Sequence, residues 1–532
     1  MKRSLFFITL FILTTIPISE GIAGIKTTEV RFVIDQSPKI IISPYIYGLA
    51  TYMAEPRKDS NVWDLNPAHF RFGGNTSSRF NWKINAWNAG NDWLFTNFKS
   101  KIPNMVDFFL EENVKHDVAS SVTLPIMGWV AKDDHSSSYP VSIFGKQNGA
   151  HKDAGNGIDL KGKRIKADPN RCCIKVGPDF IAEWVNHLKS RFGPHPHAYI
   201  LDNEPMLWWK THPDVHFEPA TYDEYWEKFL GAATAVRKAD PKAVIIAPAI
   251  WGWLAMEYSS MDMPSEWNGW VKGTDRKKHG DTPFLEWFLT KVRDEEKKLG
   301  ISLLDVLDVH YYPDGEIKNS KPDTDKNRQI RIEATRSLWD KTYTDRSWIK
   351  EAIYLIPRLK ELVAKTKPDL KVALGEYNFR AEQDIAGAIA QAELLGIFAS
   401  YNLDMANYWT IPPEGSPVSF AFKMFRNYDG KKSTFGSELI KNSVGIKDKV
   451  SIFSARHSKE KIFTIVAINK DLSEQQELDL VLPEGLGSIK STRIFIYDRD
   501  TPKAIQSKSL GKQKRVSITM KPLSLFMVEV GY

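Results

Sequence analysis

Two glutamates stand out for the chemistry their neighbours permit. Glu204 closes the run Tyr199-Ile200-Leu201-Asp202-Asn203-Glu204-Pro205, and Glu376 lies in Val372-Ala373-Leu374-Gly375-Glu376-Tyr377-Asn378, each at the end of an apolar stretch that reads as a strand. A pair of carboxyl groups can do what neither does alone. One, protonated, delivers a proton to a leaving oxygen while the other, ionised, attacks carbon; cleavage of a glycosidic bond with retention needs them about 5 Å apart. Either motif by itself is short enough to be a salt bridge at the rim of a fold. Together, with Asn203 immediately before the first glutamate, they carry more weight, because a side-chain amide there can hydrogen-bond a sugar 2-hydroxyl as positive charge develops on the ring.

Other residues fit around that pair. Arg71, in Phe70-Arg71-Phe72-Gly73-Gly74-Asn75, is expected to reach Glu376 and keep it ionised, since a cation at hydrogen-bond distance lowers a carboxyl pKa. The plainer reading of Arg71 is a structural salt bridge. His310, Tyr311 and Tyr312 end another apolar run, and one of the two tyrosines is expected to hydrogen-bond Glu376 while the other packs in the core. Trp409 is expected to floor the cleavage site. Trp251 and Trp253, Trp208 and Trp209, and Trp129 sit in loop-like sequence, where an indole can either stack on a sugar ring or pack inward.

Such groups need a scaffold that brings distant strand ends together. Eight apolar runs separated by helical stretches are legible: Tyr45 to Leu49, His69 to Gly73, Ala119 to Ile126, His197 to Asp202, Val244 to Trp251, Leu303 to Tyr311, Lys371 to Tyr377 and Met405 to Thr410. That alternation predicts an α/β fold, a closed (β/α)8 TIM barrel, with reactive groups at the carboxyl ends of its strands. Glu204 and Glu376 then end the fourth and seventh strands. The polar stretches Ala131 to Val176 and Asp314 to Asp345 read as insertions at the same face. Thr221 with Glu224 three residues on predicts a capping box opening a helix to Ala239.

After residue 435 short alternating segments predict a C-terminal antiparallel β-sandwich: Val450 to Ala455, Ile462 to Ile468, Glu477 to Leu482, Thr492 to Tyr497 and Leu525 to Val530. The expected organisation is a leader over residues 1–23, an N-terminal strand within 24–40 joining the sandwich, the barrel over 41–434 and the sandwich over 435–532.

The leader assignment rests on Lys2 and Arg3, an apolar run from Leu5 to Ile18, and small residues at Gly21-Ile22-Ala23. It implies export to the periplasm or beyond, and a chain not membrane-bound once the leader is removed. Formal charge is +7, or +6 without the leader, and the basic residues are scattered. That argues against nucleic acid as a partner and leaves a neutral one open. Cys172 and Cys173 are adjacent and cannot form a disulfide of ordinary geometry, so the fold has to stand without one. A monomer is expected.

On the stretches Pro44-Tyr45-Ile46-Tyr47-Gly48, Arg71-Phe72-Gly73-Gly74-Asn75, Asn81-Trp82, Asn88-Ala89-Gly90-Asn91-Asp92-Trp93, Leu201-Asp202-Asn203-Glu204-Pro205 with Thr211-His212-Pro213, Trp251-Gly252-Trp253, His310-Tyr311-Tyr312-Pro313 and Glu376-Tyr377-Asn378, the chain resembles glycoside hydrolase family 44. The resemblance implies a barrel with an attached sandwich and retention of anomeric configuration, with the acid/base at Glu204 and the nucleophile at Glu376. It also implies endo-action on β-1,4-glucan chains, including soluble cellulose derivatives and xyloglucan, with no cofactor for catalysis. A bound structural calcium is further implied, and Glu55 with the Asp153-Ala154-Gly155-Asn156-Gly157 loop supplies oxygen ligands of the right kind. Gly375 departs from the family, where a small hydroxyl residue precedes the nucleophile. Two alternatives stay open: an exo-acting glycosidase on the same barrel, such as an arabinofuranosidase, and a carbohydrate-binding protein without turnover.

Overall fold

The computed structural model describes residues 27–34, 37–52, 61–263, 273–313, 317 and 323–532. The expected leader and Glu55 lie outside these residues.

Eight parallel strands close into a barrel, numbered here 1 to 8 in chain order: Gly48–Thr51, His69–Phe72, Ala119–Leu124, Ala198–Leu201, Val244–Ile250, Val306–Tyr311, Lys371–Tyr377 and Met405–Tyr408. Seven of the eight expected runs fall on these strands within a few residues. The first is displaced, because Pro44 has no amide to give a ladder and Ser43 caps a 3-10 turn over Pro44–Tyr47 by accepting from the Tyr45 amide, so strand 1 begins only at Gly48. Long helices follow the strands and cover the outside, among them Pro178–Phe192 after strand 3, Tyr222–Ala239 after strand 4 and Ile385–Ser400 after strand 7. The barrel interior is filled by Ala198, Ile200, Ile246, Ala249, Val306, Ala373 and Met405, so the barrel is a packed core and chemistry is confined to its mouth.

The helix Tyr222–Ala239 starts where the capping box predicts, with the Thr221 hydroxyl accepting from the Glu224 amide at 3.2 Å. Only that half of the box forms. The Glu224 carboxylate turns to His216 Nε2 at 2.8 Å instead of back to the helix start.

Strands from 438 to 531 form the second layer structure, and its interior is lined by residues such as Phe463, Ile465, Leu478, Val516 and Val528. These strands pair antiparallel with one another, as expected; the strand that joins them from the N-terminal side does not. Thr28–Val33 runs parallel to Gln476–Val481 along residues 28–31, and then antiparallel to Glu438–Asn442 at 32 and 33, so this N-terminal strand stitches the two layers into one curled sheet. Ile40–Ile41 adds a further short edge against Glu438–Asn442.

Barrel and sandwich share one apolar core. The helix Ile385–Ser400 is buried over 15 of its 16 residues, far more than a barrel helix with a solvent face. Within it Glu393 accepts from Thr335 at 2.9 Å on the barrel side and from Ser451 at 2.8 Å and Lys470 at 2.6 Å on the sandwich side. A buried carboxylate needs that many donors, and they come from both domains.

Candidate active site

The segment ending strand 4 is held in an unfavourable backbone state. Asp202 and Glu204 both have positive φ, 69° and 46°, a region that costs a non-glycine residue roughly 1–3 kcal/mol. Two features stabilise it. The Glu204 amide donates to Ala249 O at 2.9 Å, at a point where the register of strands 5 and 6 slips and Ala249 itself adopts positive φ. The buried Asp202 carboxylate gathers five donors: Ser78 Oγ (2.5 Å), the Asn203 amide (2.8 Å) and Trp208 Nε1 (3.1 Å) on one oxygen, the Ile126 and Met127 amides (2.7 and 2.9 Å) on the other. Asp202 stood in the motif, but nothing in the sequence marked it as the anchor for Glu204.

Strand 7 presents Glu376 beside His310 of strand 6, where a second register slip between Val309 and His310 re-aims both side chains into the mouth. His310 Nδ1 lies 2.8 Å from Glu204 Oε1 and 3.6 Å from Glu376 Oε2. One oxygen of each glutamate and this nitrogen all lie within 4.8 Å of one another. The Glu204 side chain is 18% exposed and that of Glu376 6%.

Arg71 pairs with Glu376 Oε1 through one guanidinium nitrogen and donates to Asn203 Oδ1 at 2.8 Å through another. Because arginine can only donate, that contact fixes the amide with its oxygen towards Arg71 and leaves its NH2 group for an acceptor. Tyr312 donates to Glu376 Oε2 at 2.7 Å. Trp409, half-buried after strand 8, forms a wall against Gly74, whose φ of 84° and missing Cβ both matter: a Cβ there would lie 2.2 Å from the indole.

Charge is distributed unequally over this set. Burial pushes the Glu376 carboxyl up, but His310, Arg71 and Tyr312 together outweigh it and hold Glu376 below the ordinary glutamate range. Burial pulls His310 down, yet the two glutamates outweigh that and raise it. Burial and the Glu376 charge raise the Tyr312 phenol, so it stays a donor. The three convergent groups Glu204, His310 and Glu376 are the one such cluster among the described residues that could ligate a cation, and the Arg71 guanidinium already supplies a fixed positive charge there.

Several expected positions take other roles. Tyr311 is not in the site: alternation along strand 6 sends His310 and Tyr312 to the mouth and Tyr311 outward, where it is buried beside Phe379. Trp208 is fully buried as a donor to Asp202 and offers no surface to a ligand. Trp251 and Trp253 are half-buried on the main core, with Arg358 stacked over Trp253 at 5.0 Å. Arg164 covers Trp209 at 5.3 Å. Of the expected calcium ligands, Asp153 turns its carboxylate to Ser142 at 2.7 and 2.8 Å and Asn156 accepts from the Ile158 amide, and no cluster of three or more His, Cys, Asp or Glu forms there among the described residues.

Gly375 has a physical explanation. Its amide donates to the buried Asp308 at 2.6 Å, and a Cβ at 375 would lie 2.2 Å from the other Asp308 oxygen. A serine before the nucleophile would require the aspartate carboxylate on the neighbouring strand to move. Burial also raises the Asp308 carboxyl to about 6.

Comparison with known proteins agrees with this geometry. The family model of glycoside hydrolase family 44 matches residues 86–315. A bifunctional glucanase-xylanase from a metagenome library, CelM2, superposes with a TM-score of 0.87 at 33% identity over 95% of this chain and 99% of that one. The chain belongs to glycoside hydrolase family 44. A xyloglucanase of the family from Paenibacillus polymyxa, solved with xyloglucan, superposes at TM-score 0.78 and 28% identity over 95% of this chain and all of that one. Endoglucanase A of Paenibacillus lautus is 28% identical over 97% of this chain and 74% of its own length. As a family 44 glycoside hydrolase the chain has the TIM barrel with attached sandwich.

Proposed function

We propose that Glu204 is the general acid/base and Glu376 the nucleophile of a retaining endo-hydrolase that cleaves β-1,4-glucan chains, xyloglucan among them. The carboxylate separation carries this reading. One oxygen of each group within 4.8 Å falls short of the roughly 6.5–9.5 Å separation of an inverting pair and matches a carboxylate placed to attack the sugar directly. Their unequal surroundings support the division of labour. Glu376, in contact with Arg71 and Tyr312, is kept ionised for attack; Glu204, hydrogen-bonded among the described residues to the His310 imidazole and more exposed, can give its proton to the departing oxygen and then take one from the incoming water.

In the first step Glu376 bonds the anomeric carbon as Glu204 protonates the departing oxygen. In the second, Glu204 takes a proton from water as the water oxygen bonds the anomeric carbon and the bond from that carbon to Glu376 breaks. The Asn203 amide is oriented to donate to the 2-hydroxyl, and Trp409 backs the ring. The names of the relatives, an endoglucanase, a glucanase-xylanase and a xyloglucanase, support the substrate class. The leader-like residues 1–23 support export, which puts the enzyme where polysaccharide is.

The deciding experiment runs xyloglucan and carboxymethylcellulose side by side, following viscosity and reducing ends together. A steep viscosity loss at few cuts is expected. Monomer release with viscosity unchanged would replace this reading with an exo-glycosidase, and no release from any β-glycan would replace it with a binding protein.

A further inference from the structure

A cavity of about 580 Å³ is lined by residues 125–129, 175–178, 181 and 215–216 and by one face of the helix Tyr222–Ala239, at positions 224, 227, 228, 231 and 232. These segments are the loop leaving strand 3, the start of the helix that follows it, the loop leaving strand 4 and the first turns of the next helix, so the cavity lies at the catalytic end of the barrel. It does not include Glu204 or Glu376. Its volume is within the roughly 300–1,000 Å³ of small-molecule sites.

The lining indicates what the cavity suits. Trp129 and Lys175 are cross-strand partners of a two-stranded ribbon, so their side chains leave the same face, with the indole half-buried and the ammonium exposed. Opposite them the helix Tyr222–Ala239 contributes Glu224, Glu227 and Lys228. Lys228 is held by Met127 O at 2.8 Å and lies 3.8 Å from Glu224, while Glu227 is exposed. Two carboxylates and two ammoniums cancel, which favours no ion. An apolar plate facing separate hydrogen-bond donors and acceptors, without net charge, is the surface a neutral polyhydroxylated ring needs.

The cavity is also tied to the catalytic acid. The Ile126 and Met127 amides at its floor are the donors to one oxygen of Asp202, whose other oxygen holds the Asn203 amide just before Glu204. We propose that this cavity is an auxiliary glycan site that binds a neutral sugar unit of the substrate remote from the scissile bond, stacked on Trp129 and hydrogen-bonded by Glu227 and Lys175. The proposal rests on the β-glucanase reading above. The sugar comes either from a more distant unit of the main chain or from a branch.

The test compares Trp129→Ala and Glu227→Gln with the parent enzyme on three substrates: a short aryl β-glycoside, cellohexaose, and a branched xyloglucan oligosaccharide of the same backbone length. KM is expected to rise roughly tenfold on one or both oligosaccharides with kcat nearly unchanged, and to stay constant on the aryl glycoside. An effect on cellohexaose identifies a main-chain unit, and one confined to the branched compound identifies a branch. Unchanged KM in both variants overturns the proposal, as does an equal loss on short and long substrates. Glu227→Gln alters only an exposed side chain, so a folding defect in Trp129→Ala does not decide the result. If the parent enzyme turns over none of the three, the failure belongs to the β-glucanase reading and shows before any variant is made.

Discussion

Arg71 and Arg79 lie eight residues apart, one in strand 2 and one ending the 3-10 turn that follows; both are fully buried, and each is paired with a carboxylate from a distant part of the chain. Their surroundings make them different devices. Arg71 leaves Glu376 with one oxygen accepting from Tyr312 and turned towards Glu204 at the mouth. Arg79 grips both oxygens of Asp214 at 3.0 Å, Ser138 takes a further position at 2.6 Å, and Cys173 and Cys172 lie 2.6 and 3.5 Å from the same guanidinium nitrogen. Asp214 is sealed away from any reactant. Arg79, Ser138, the two cysteines and Asp214 come from the strand 2 turn, the 131–176 insertion and the loop after strand 4, so this cluster fastens the insertion to the barrel. A buried ion pair is support for chemistry where one partner keeps an open side, and a staple where every side is filled.

The largest effects should come from the open pair. Glu376→Gln is expected to abolish both turnover and covalent trapping by a mechanism-based fluoro-glycoside, read by intact-protein mass spectrometry. Glu204→Gln should cost roughly 10²–10⁴-fold on polysaccharide, yet still allow glycosylation by aryl glycosides with very good leaving groups, which need no proton. Equal residual glycosylation in the two variants would contradict the assigned roles.

The comparison itself is broken or kept by truncating each arginine. Arg71→Met should lower kcat/KM on the order of 10²–10³-fold, the scale of losing one well-placed charge-stabilising donor, with the fold retained because Glu376 can protonate. Arg79→Met leaves Asp214 buried without its cation and should destabilise by about 3–5 kcal/mol, seen as an earlier thermal or denaturant transition, while the kcat of folded enzyme changes little. The reverse pattern, a stable but inactive Arg79 variant, would mean that the sealed cluster serves catalysis.

The same contrast explains what could be read from the sequence. Strand order, barrel closure and the two glutamates were legible because apolar runs and short motifs are local. Arg71, Asn203, His310, Tyr312 and Trp409 followed once strand ends were known to converge. Asp202, Asp308 and the Arg79 cluster were not legible, since each depends on which segments pack against it. Tyr311 was narrowed to an alternative with Tyr312 and no further, because a register slip of one residue decides which faces the mouth. The parallel pairing of Thr28–Val33 is likewise invisible locally, as alternation marks a strand without naming its neighbour.

The smallest change tests how open the Glu376 side is. Tyr312→Phe removes one donor from the Glu376 carboxylate and leaves the ring and Arg71 in place. Glu376 acts as the ionised form, and its donors hold it below the ordinary range, so losing one must raise it. The acid limb of kcat/KM, which reports the free enzyme, should therefore move to higher pH. On the pH plateau above that limb, the loss that remains measures what the phenol contributes beyond ionisation. A limb that stays in place, or moves down, would mean that Arg71 and His310 alone set the nucleophile's charge, and that Glu376 is less like an open site than the contrast with Asp214 requires.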